Sequence, residues 1–354
     1  MVEVKVGGIG YPTYGAFFPS IVKRNYGKWI SHEFIKPGVI EHVSKTGEKC
    51  TVVRVLGSPN GMYSTSTIRW FSDLADKYAD GFRVTARNSI ELVGVKPDKV
   101  DELINVLKEE GWPVGGTGKS LHQIVCCTGF VYCQQPAIDS PSLMKAIADA
   151  LFSDFLVEKY PAKLKISISG CPNNCGEGST ADIGIMGIFK DIPTVGTPEE
   201  MKRCEIPVVV STCPTGAIRP KPPTVEIIPE LCIHCGSCAL QCAYISFGKP
   251  GAASAAIYVG GKAANSGDGP AYGKLVAIDL KPVPPHYEEI VNVIKRIKDS
   301  WVSNARKGER VSEWIERIGW EKFYEKTSLK MDVRVIDNFI QNIVALKTNV
   351  RFRW

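Results

Sequence analysis

The 354-residue sequence contains no apolar run long enough for a transmembrane helix, so no membrane insertion is expected. Blocks of like charge are missing too. The 43 Lys and Arg are scattered among 37 Asp and Glu, for a net charge of +6, so no nucleic-acid patch is expected. Residues 1–8 lack an apolar core and a cleavage pattern, so no secretory signal is expected and the cytoplasm is the expected compartment. The small positive excess suits an anionic substrate and cofactor, and equally well serves solubility. What remains is an ordinary globular composition, 44% apolar and 23% charged, on a chain long enough for two or three domains.

Against that background twelve cysteines stand out: Cys50, Cys126, Cys127, Cys133, Cys171, Cys175, Cys204, Cys213, Cys232, Cys235, Cys238 and Cys242. A cytosolic protein keeps thiols reduced, which argues against disulfides, and the clustering in short spacings argues for metal.

Residues 1–45 read as an extended arm punctuated by Gly and Pro. Residues 46–118 alternate strand and helix signals: a strand at 51–56, a helix at 64–78, a strand at 82–95 broken near Asn88, and a helix at 99–110 closed by Gly111. That order is βαββα, the size of a ferredoxin-like half-domain. A further helix is expected at 140–157 with Ser140 as its cap, then a strand at 163–169. Residues 205–262 are rich in Pro and Cys and read as an inserted module, dividing a domain made of 119–204 and 263–330. A C-terminal arm, 331–354, follows the amphipathic run at 287–302 and carries its own helical stretch. The fold class expected is α+β.

Two cysteine constellations carry chemistry. Cys127 and Cys133 form one pair, and Cys171 and Cys175 another, both beside Gly-rich loops. Two such pairs suit the four thiolates of a [4Fe-4S] cluster; zinc, which favours C-x2-C knuckles, ranks second, and small buried hydrophobes third. Cys126 competes with Cys127, which is preferred on spacing. The run Cys232, Cys235, Cys238, Cys242 has the C-x2-C-x2-C-x3-C spacing of bacterial ferredoxins, whose fourth cysteine serves another cluster. The fourth ligand is therefore assigned to Cys213, followed by Pro214, and Cys242 is left over. His234 reads as a loop residue, and Cys50, Cys204 and Cys242 as structural.

Two alternating stretches are basic. On strands, Arg83, Thr85 and Arg87 would share one face, and Lys163, Lys165, Ser167 and Ser169 another, running into the cysteine loop. A half-exposed strand with solvated lysines is the bland alternative. Arginine forks and lysines also suit carboxylates and oxyanions.

The stretch Ser169-Gly170-Cys171-Pro172-Asn173-Asn174-Cys175, followed by Asp182-Ile183-Gly184-Ile185, resembles the signature loop of the sulfite and nitrite reductase family. Thr85-x-Arg87 and Lys163-x-Lys165 are similar to that family's basic strands. The inserted ferredoxin, the region of Lys28, Trp29, His32 and Lys36, and the tail residues Asp332-Val333-Arg334 and Thr348-Asn349-Val350-Arg351 resemble the beta subunits of its dissimilatory sulfite-reducing branch.

The resemblance implies a ferredoxin-like half-domain, a domain binding sirohaem and a [4Fe-4S] cluster, and an inserted ferredoxin domain with a second [4Fe-4S] cluster. It gives Cys175 the bridge to the sirohaem iron, and Arg83, Thr85, Arg87, Lys163 and Lys165 an anion pocket, this chain's own or a partner's. It further implies six-electron reduction of sulfite toward sulfide, electrons arriving from a donor at the ferredoxin cluster, and an assembly of two alpha and two beta subunits. A small sulfur-carrier protein with C-terminal cysteines is also implied. An assimilatory sulfite or nitrite reductase, a non-catalytic electron-transfer subunit, and the reverse, sulfur-oxidising direction stay open.

Overall fold

The computed structural model describes residues 14–247, 253–265, 267, 269–332 and 335. The sequence readings on residues 1–13, Val333, Arg334 and 336–354, including the tail's helical stretch and its Thr348 to Arg351 motif, lie outside the described residues. Contacts divide the chain into two compact units. The first takes the described residues through Gln123 together with Phe152–Lys163; the second takes Ile124–Leu151 and those from Leu164 onward. No helix among the described residues is long and apolar enough to cross a membrane.

The first unit contains α1 (Ser20–Asn25), β1 (Trp29–Lys36), β2 (Val39–Ser44), β3 (Lys49–Val55), α2 (Thr65–Tyr78), β4 (Gly81–Val84), β5 (Ile90–Val93) and α3 (Val100–Glu109). Its antiparallel sheet has the order β1-β2-β3-β5-β4. The sequence forms it because β3 alternates: Val53 and Val55 enter a core with Phe71, Leu74 and Tyr78 of α2 and Leu103 and Leu107 of α3. Ser64 caps α2 by accepting the Thr67 amide, and α3 ends before Gly111, whose φ of +76° suits glycine. This is the βαββα order expected from residues 46–118. The sheet also gains β1 and β2, from a segment that reads as an arm.

The strand expected at 82–95 is a hairpin. β4 ends at Val84, Thr85–Ser89 turns with Asn88 at φ +61°, and β5 returns antiparallel. Thr85 and Arg87 therefore sit in a turn rather than on one strand face with Arg83. The turn wins because the Thr85 amide donates to the Ser89 carbonyl, the Asn88 amide donates to the Thr85 carbonyl, and the Thr85 hydroxyl accepts the Ser89 amide.

In the second unit, α4 (Ser140–Ala150) is capped by Asp139, which accepts the Ser142 amide; Ser140 is instead turned to Cys127. The helix expected to continue to 157 breaks at Leu151, and α5 (Phe152–Phe155) belongs to the first unit. Strands β6 (Val125–Cys126), β7 (Ile166–Ser169) and β8 (Ile183–Phe189) run parallel.

A Cys-rich module follows, with β9 (Thr194–Val195), α6 (Pro198–Met201), α7 (Ile206–Ser211), β10 (Ile218–Lys221), β11 (Thr224–Ile227), α8 (Ser237–Gln241) and β12 (Ile245–Ser246). Pairing of β9 with β12 closes it around its own core of Met201, Val209, Ile218, Val225 and Ile245. The chain then rejoins the large sheet as β13 (Ala253–Val259) and β14 (Lys274–Leu280), giving the order β14-β13-β8-β7-β6, and finishes with α9 (Glu288–Asn304), α10 (Val311–Ile318) and α11 (Trp320–Thr327).

Two expectations need correction here. The strand at 163–169 begins only at Ile166, and all four of its residues are buried, because a parallel strand between two others is covered on both faces. Ser167 and Ser169 thus form no open polar face with Lys163 and Lys165. Cys204 and Cys242 are joined by a disulfide with Cα atoms 5.5 Å apart, whereas every cysteine was expected as a thiol. The rule behind that expectation concerns compartments; the fold brings these two side chains within a disulfide's reach.

Candidate metal centre

The thiols of the module meet as its spacing suggests. Cys213, Cys232, Cys235 and Cys238 line one cavity walled by Pro193, Ala217, Ile218, Ile227 and Phe247, and Cys242 is not among its walls. Gly236, at φ +78°, makes the turn between Cys235 and Cys238; a Cβ there would come within 2.9 Å of the Phe189 ring. Burial, and then the neighbouring Cys235 and Cys232, push the Cys238 thiol up to about 12. Burial also raises Cys213, but the Thr215 hydroxyl and the amides of Thr215, Ala217 and Ile218 outweigh it and hold this thiol below its ordinary value. The amide of Ala217 lies 3.1 Å from the Cys213 sulfur. Such amides stabilise a thiolate, the form that binds iron.

The second thiol group surrounds the Gly170 loop. The Cys171 thiol is pushed up to about 11, by burial and then by the neighbouring thiols of Cys127, Cys133 and Cys175. Cys127 Sγ accepts the Gly170 amide at 3.1 Å and lies 3.1 Å from Ser140 Oγ. Cys126, by contrast, is a buried residue of β6 paired with Ile168. Of the four thiols Cys175 is the exposed one. Gly170 itself has no room for a side chain, since a Cβ would lie 2.9 Å from Pro136.

Among the described residues no three His, Cys, Asp or Glu side chains converge as a single ion requires. A tetrahedral zinc site brings its sulfurs to about 3.8 Å of one another. Four thiols around a cavity, without a carboxylate or imidazole, fit a larger cluster in which inorganic sulfide completes the iron coordination.

Cations gather in the first unit. Arg54 of β3 and Arg83 of β4 both grip Glu91 of β5, at 2.6 Å each. Burial raises the Glu91 carboxyl, but Arg54 and Arg83 outweigh it and hold it below its ordinary value. Arg54 also donates to the Gly116 carbonyl, and Arg87 Nε donates to the Gln123 carbonyl at 2.9 Å. The Gln123 side chain clasps Gly57 through both its N–H and its C=O. Mostly buried within this collar, His122 bonds Gly118 O; burial, helped by Arg54, Arg87 and Lys163, brings its pKa down to about 3. Arg54, Arg87 and Lys163 are therefore electrostatic neighbours, an arrangement suited to a polyanion such as sirohaem with its carboxylates.

Arg83 is exposed, with its Nε committed to Glu91, and the Thr85 hydroxyl serves the turn. Lys165 belongs to the second unit, where its amide donates to Asp182 at 2.8 Å. Asp182 is fully buried and takes both Nε and Nη2 of Arg310, at 2.8 and 2.6 Å.

Sequence reading missed Arg54, His122 and Arg310. Arg54 did leave a signal, as the only charged residue inside the apolar stretch 52–56. His122 and Arg310 left none, because their partners are set by the fold.

Comparison with known proteins gives a consistent result. Residues 42–110 match the nitrite/sulfite reductase ferredoxin-like half domain, and residues 117–335 match the nitrite and sulphite reductase 4Fe-4S domain. The chain is 38% identical over 349 residues to the dissimilatory-type sulfite reductase subunit beta of Archaeoglobus fulgidus, covering 96% of this chain and 95% of that one. It is 36% identical over 351 residues to the corresponding subunit of Nitratidesulfovibrio vulgaris, covering 95% and 92%. A crystal structure of dissimilatory sulfite reductase I superposes with a TM-score of 0.78 at 21% identity, covering 88% of this chain and 79% of that one, which shows the shared fold.

Proposed function

Because this chain belongs to the nitrite and sulfite reductase family, we propose that it is the beta subunit of a dissimilatory-type sulfite reductase, an oxidoreductase taking sulfite toward sulfide. The observation that carries the reading is the presence of two thiol quartets in one unit of a chain that aligns end to end with such subunits. The name beta subunit implies an alpha partner, and we assign this chain to an assembly of both. Near-complete coverage in both directions favours this reading over an assimilatory enzyme.

In this reading Cys127, Cys133, Cys171 and Cys175 hold one [4Fe-4S] cluster, and Cys213, Cys232, Cys235 and Cys238 hold a second. Cys175, the exposed thiol of its quartet, is the one free to link to sirohaem iron. When bound, sirohaem supplies the iron at which sulfite is reduced. The chain's own residues do the rest. The amides around Cys213 and Cys127 stabilise thiolate charge. Arg54, Arg87 and Lys163 neutralise carboxylates or the oxyanion, of this chain's cofactor or of the alpha subunit's, and Lys165 adds a cation whose backbone Asp182 fixes. A small sulfur carrier and an electron donor complete the system, in the cytoplasm.

The test is Cys175→Ser in the assembled protein. The expected result is loss of sulfite turnover and a changed sirohaem absorption band, with the paramagnetic signal of the Cys213 quartet's cluster retained. An active variant with an unchanged band would remove the bridging role, and a wild-type protein without sirohaem bands would refute the reading itself.

A further inference from the structure

The two thiol quartets lie far apart in sequence, yet one side chain joins their loops. Gln135 follows Cys133 by two residues and is 2% exposed. Its Oε1 accepts from Asn173 Nδ2 at 2.6 Å. Its Nε2 donates to the carbonyl of Cys235 at 2.9 Å. Asn173 in turn lies inside the Cys171–Cys175 loop, two residues after Cys171. A hydrogen-bonded path therefore runs from the Cys171–Cys175 loop, through the side-chain amides of Asn173 and Gln135, to the carbonyl of Cys235.

The fit around Gln135 is specific. A Cβ on Gly236 would stand 3.3 Å from Gln135 Cγ, so the glycine that turns the ferredoxin loop also admits this side chain. An amide is the one neutral group of this length that accepts on one side and donates on the other, as the two loops require. Both bonds leave Gln135 without an unpaired buried polar atom, so nothing in its own packing calls for a water or a further ligand.

We propose that Gln135 is the positioning residue that couples the two [4Fe-4S] sites, fixing their spacing and carrying the bonded path for single-electron transfer between them. The proposal rests on the two-cluster reading above. In the step itself the Cys232–Cys235–Cys238 cluster is oxidised by one electron and the Cys171–Cys175 cluster is reduced by one. No covalent bond forms or breaks, and Gln135 keeps its protons.

The experiment uses the assembled enzyme with Gln135→Leu, which removes both bonds at similar volume, and Gln135→Glu, which keeps the acceptor for Asn173 and loses the donor to Cys235. Iron content and both cluster signals are measured first, by paramagnetic resonance. The inter-cluster transfer rate is then followed by rapid freeze-quench after photoreduction. Gln135→Leu is expected to keep both clusters and slow transfer by about tenfold, the factor given by ~1.4 kcal/mol of barrier. Gln135→Glu should fall between Leu and wild type, and kcat should drop in the same order with KM for sulfite unchanged. Wild-type transfer rates in Gln135→Leu, with both clusters present, would overturn the proposal. So would loss of a cluster in both variants, which would make Gln135 a purely structural residue. A wild-type enzyme carrying a single cluster would instead overturn the reading on which it rests.

Discussion

Replacing Asp182 by alanine is the most informative test of how the second unit is held together. Asp182 is fully buried, and the Arg310 side chain is 6% exposed. Removing the carboxylate leaves an uncompensated guanidinium in the interior, a change that costs about 3–5 kcal/mol. The Lys165 amide also loses its acceptor, for about 1–3 kcal/mol. One carboxylate serves both partners, so the two costs overlap and a total of about 4 kcal/mol is expected. For a unit of this size each kcal/mol moves the melting temperature by about 2–4 °C, which gives a fall of roughly 8–16 °C.

Scanning calorimetry of the assembled protein measures this fall, and amide hydrogen exchange at Lys165 reports the local opening. The double variant Asp182→Ala/Arg310→Met leaves no charge behind and should regain more than half of the loss. A cost below about 1 kcal/mol, the range of an exposed pair, would refute the reasoning. So would a double variant no more stable than Asp182→Ala alone.

Two further predictions follow from the sites. His122 is held neutral to about pH 3 in the folded chain, against about 6.5 for a free imidazole, so below pH 6.5 the unfolded chain binds the extra proton and stability falls as pH drops. The slope should approach 1.4 kcal/mol per pH unit at most, roughly one proton's worth, and His122→Asn should flatten it in urea titrations between pH 7 and about 5; parallel curves would contradict the assignment. In the module, Cys213→Ala should abolish the paramagnetic signal of its cluster and Cys242→Ala should retain it, since Cys242 is bonded to Cys204 away from the cavity walls. The opposite pattern would move the fourth ligand to Cys242.

The legible parts of the fold were those with a period. α2 and α3 place Phe71, Leu74, Leu103 and Leu107 at helical spacing, and β3 alternates, so βαββα could be read from residues 46–118. β1 could not, because its side chains are mostly exposed on both faces and no alternation marks it. The same physics misled in the opposite sense at β7, where serines that alternate with isoleucines are buried all the same. The grouping of the thiols was legible because cysteine spacing is local to each loop. Gln135 and the Asp182–Arg310 pair were not, since their partners lie 100 and 128 residues away along the chain.

The bond between Cys204 and Cys242 makes a ring of the segment between them, and all four cysteines of the module's cavity lie inside it. Closing a loop of this length removes about 4 kcal/mol of conformational freedom from the unfolded chain. The ring also changes what a break in the backbone would do. A protease cutting the exposed turn between β10 and β11 would open the chain without releasing a fragment, because Cys213 on one side and Cys232 on the other stay tethered through the sulfur link. With the proposed cluster bound, the segment would have two independent fastenings, one of iron and one of sulfur, and losing either would leave its ends together.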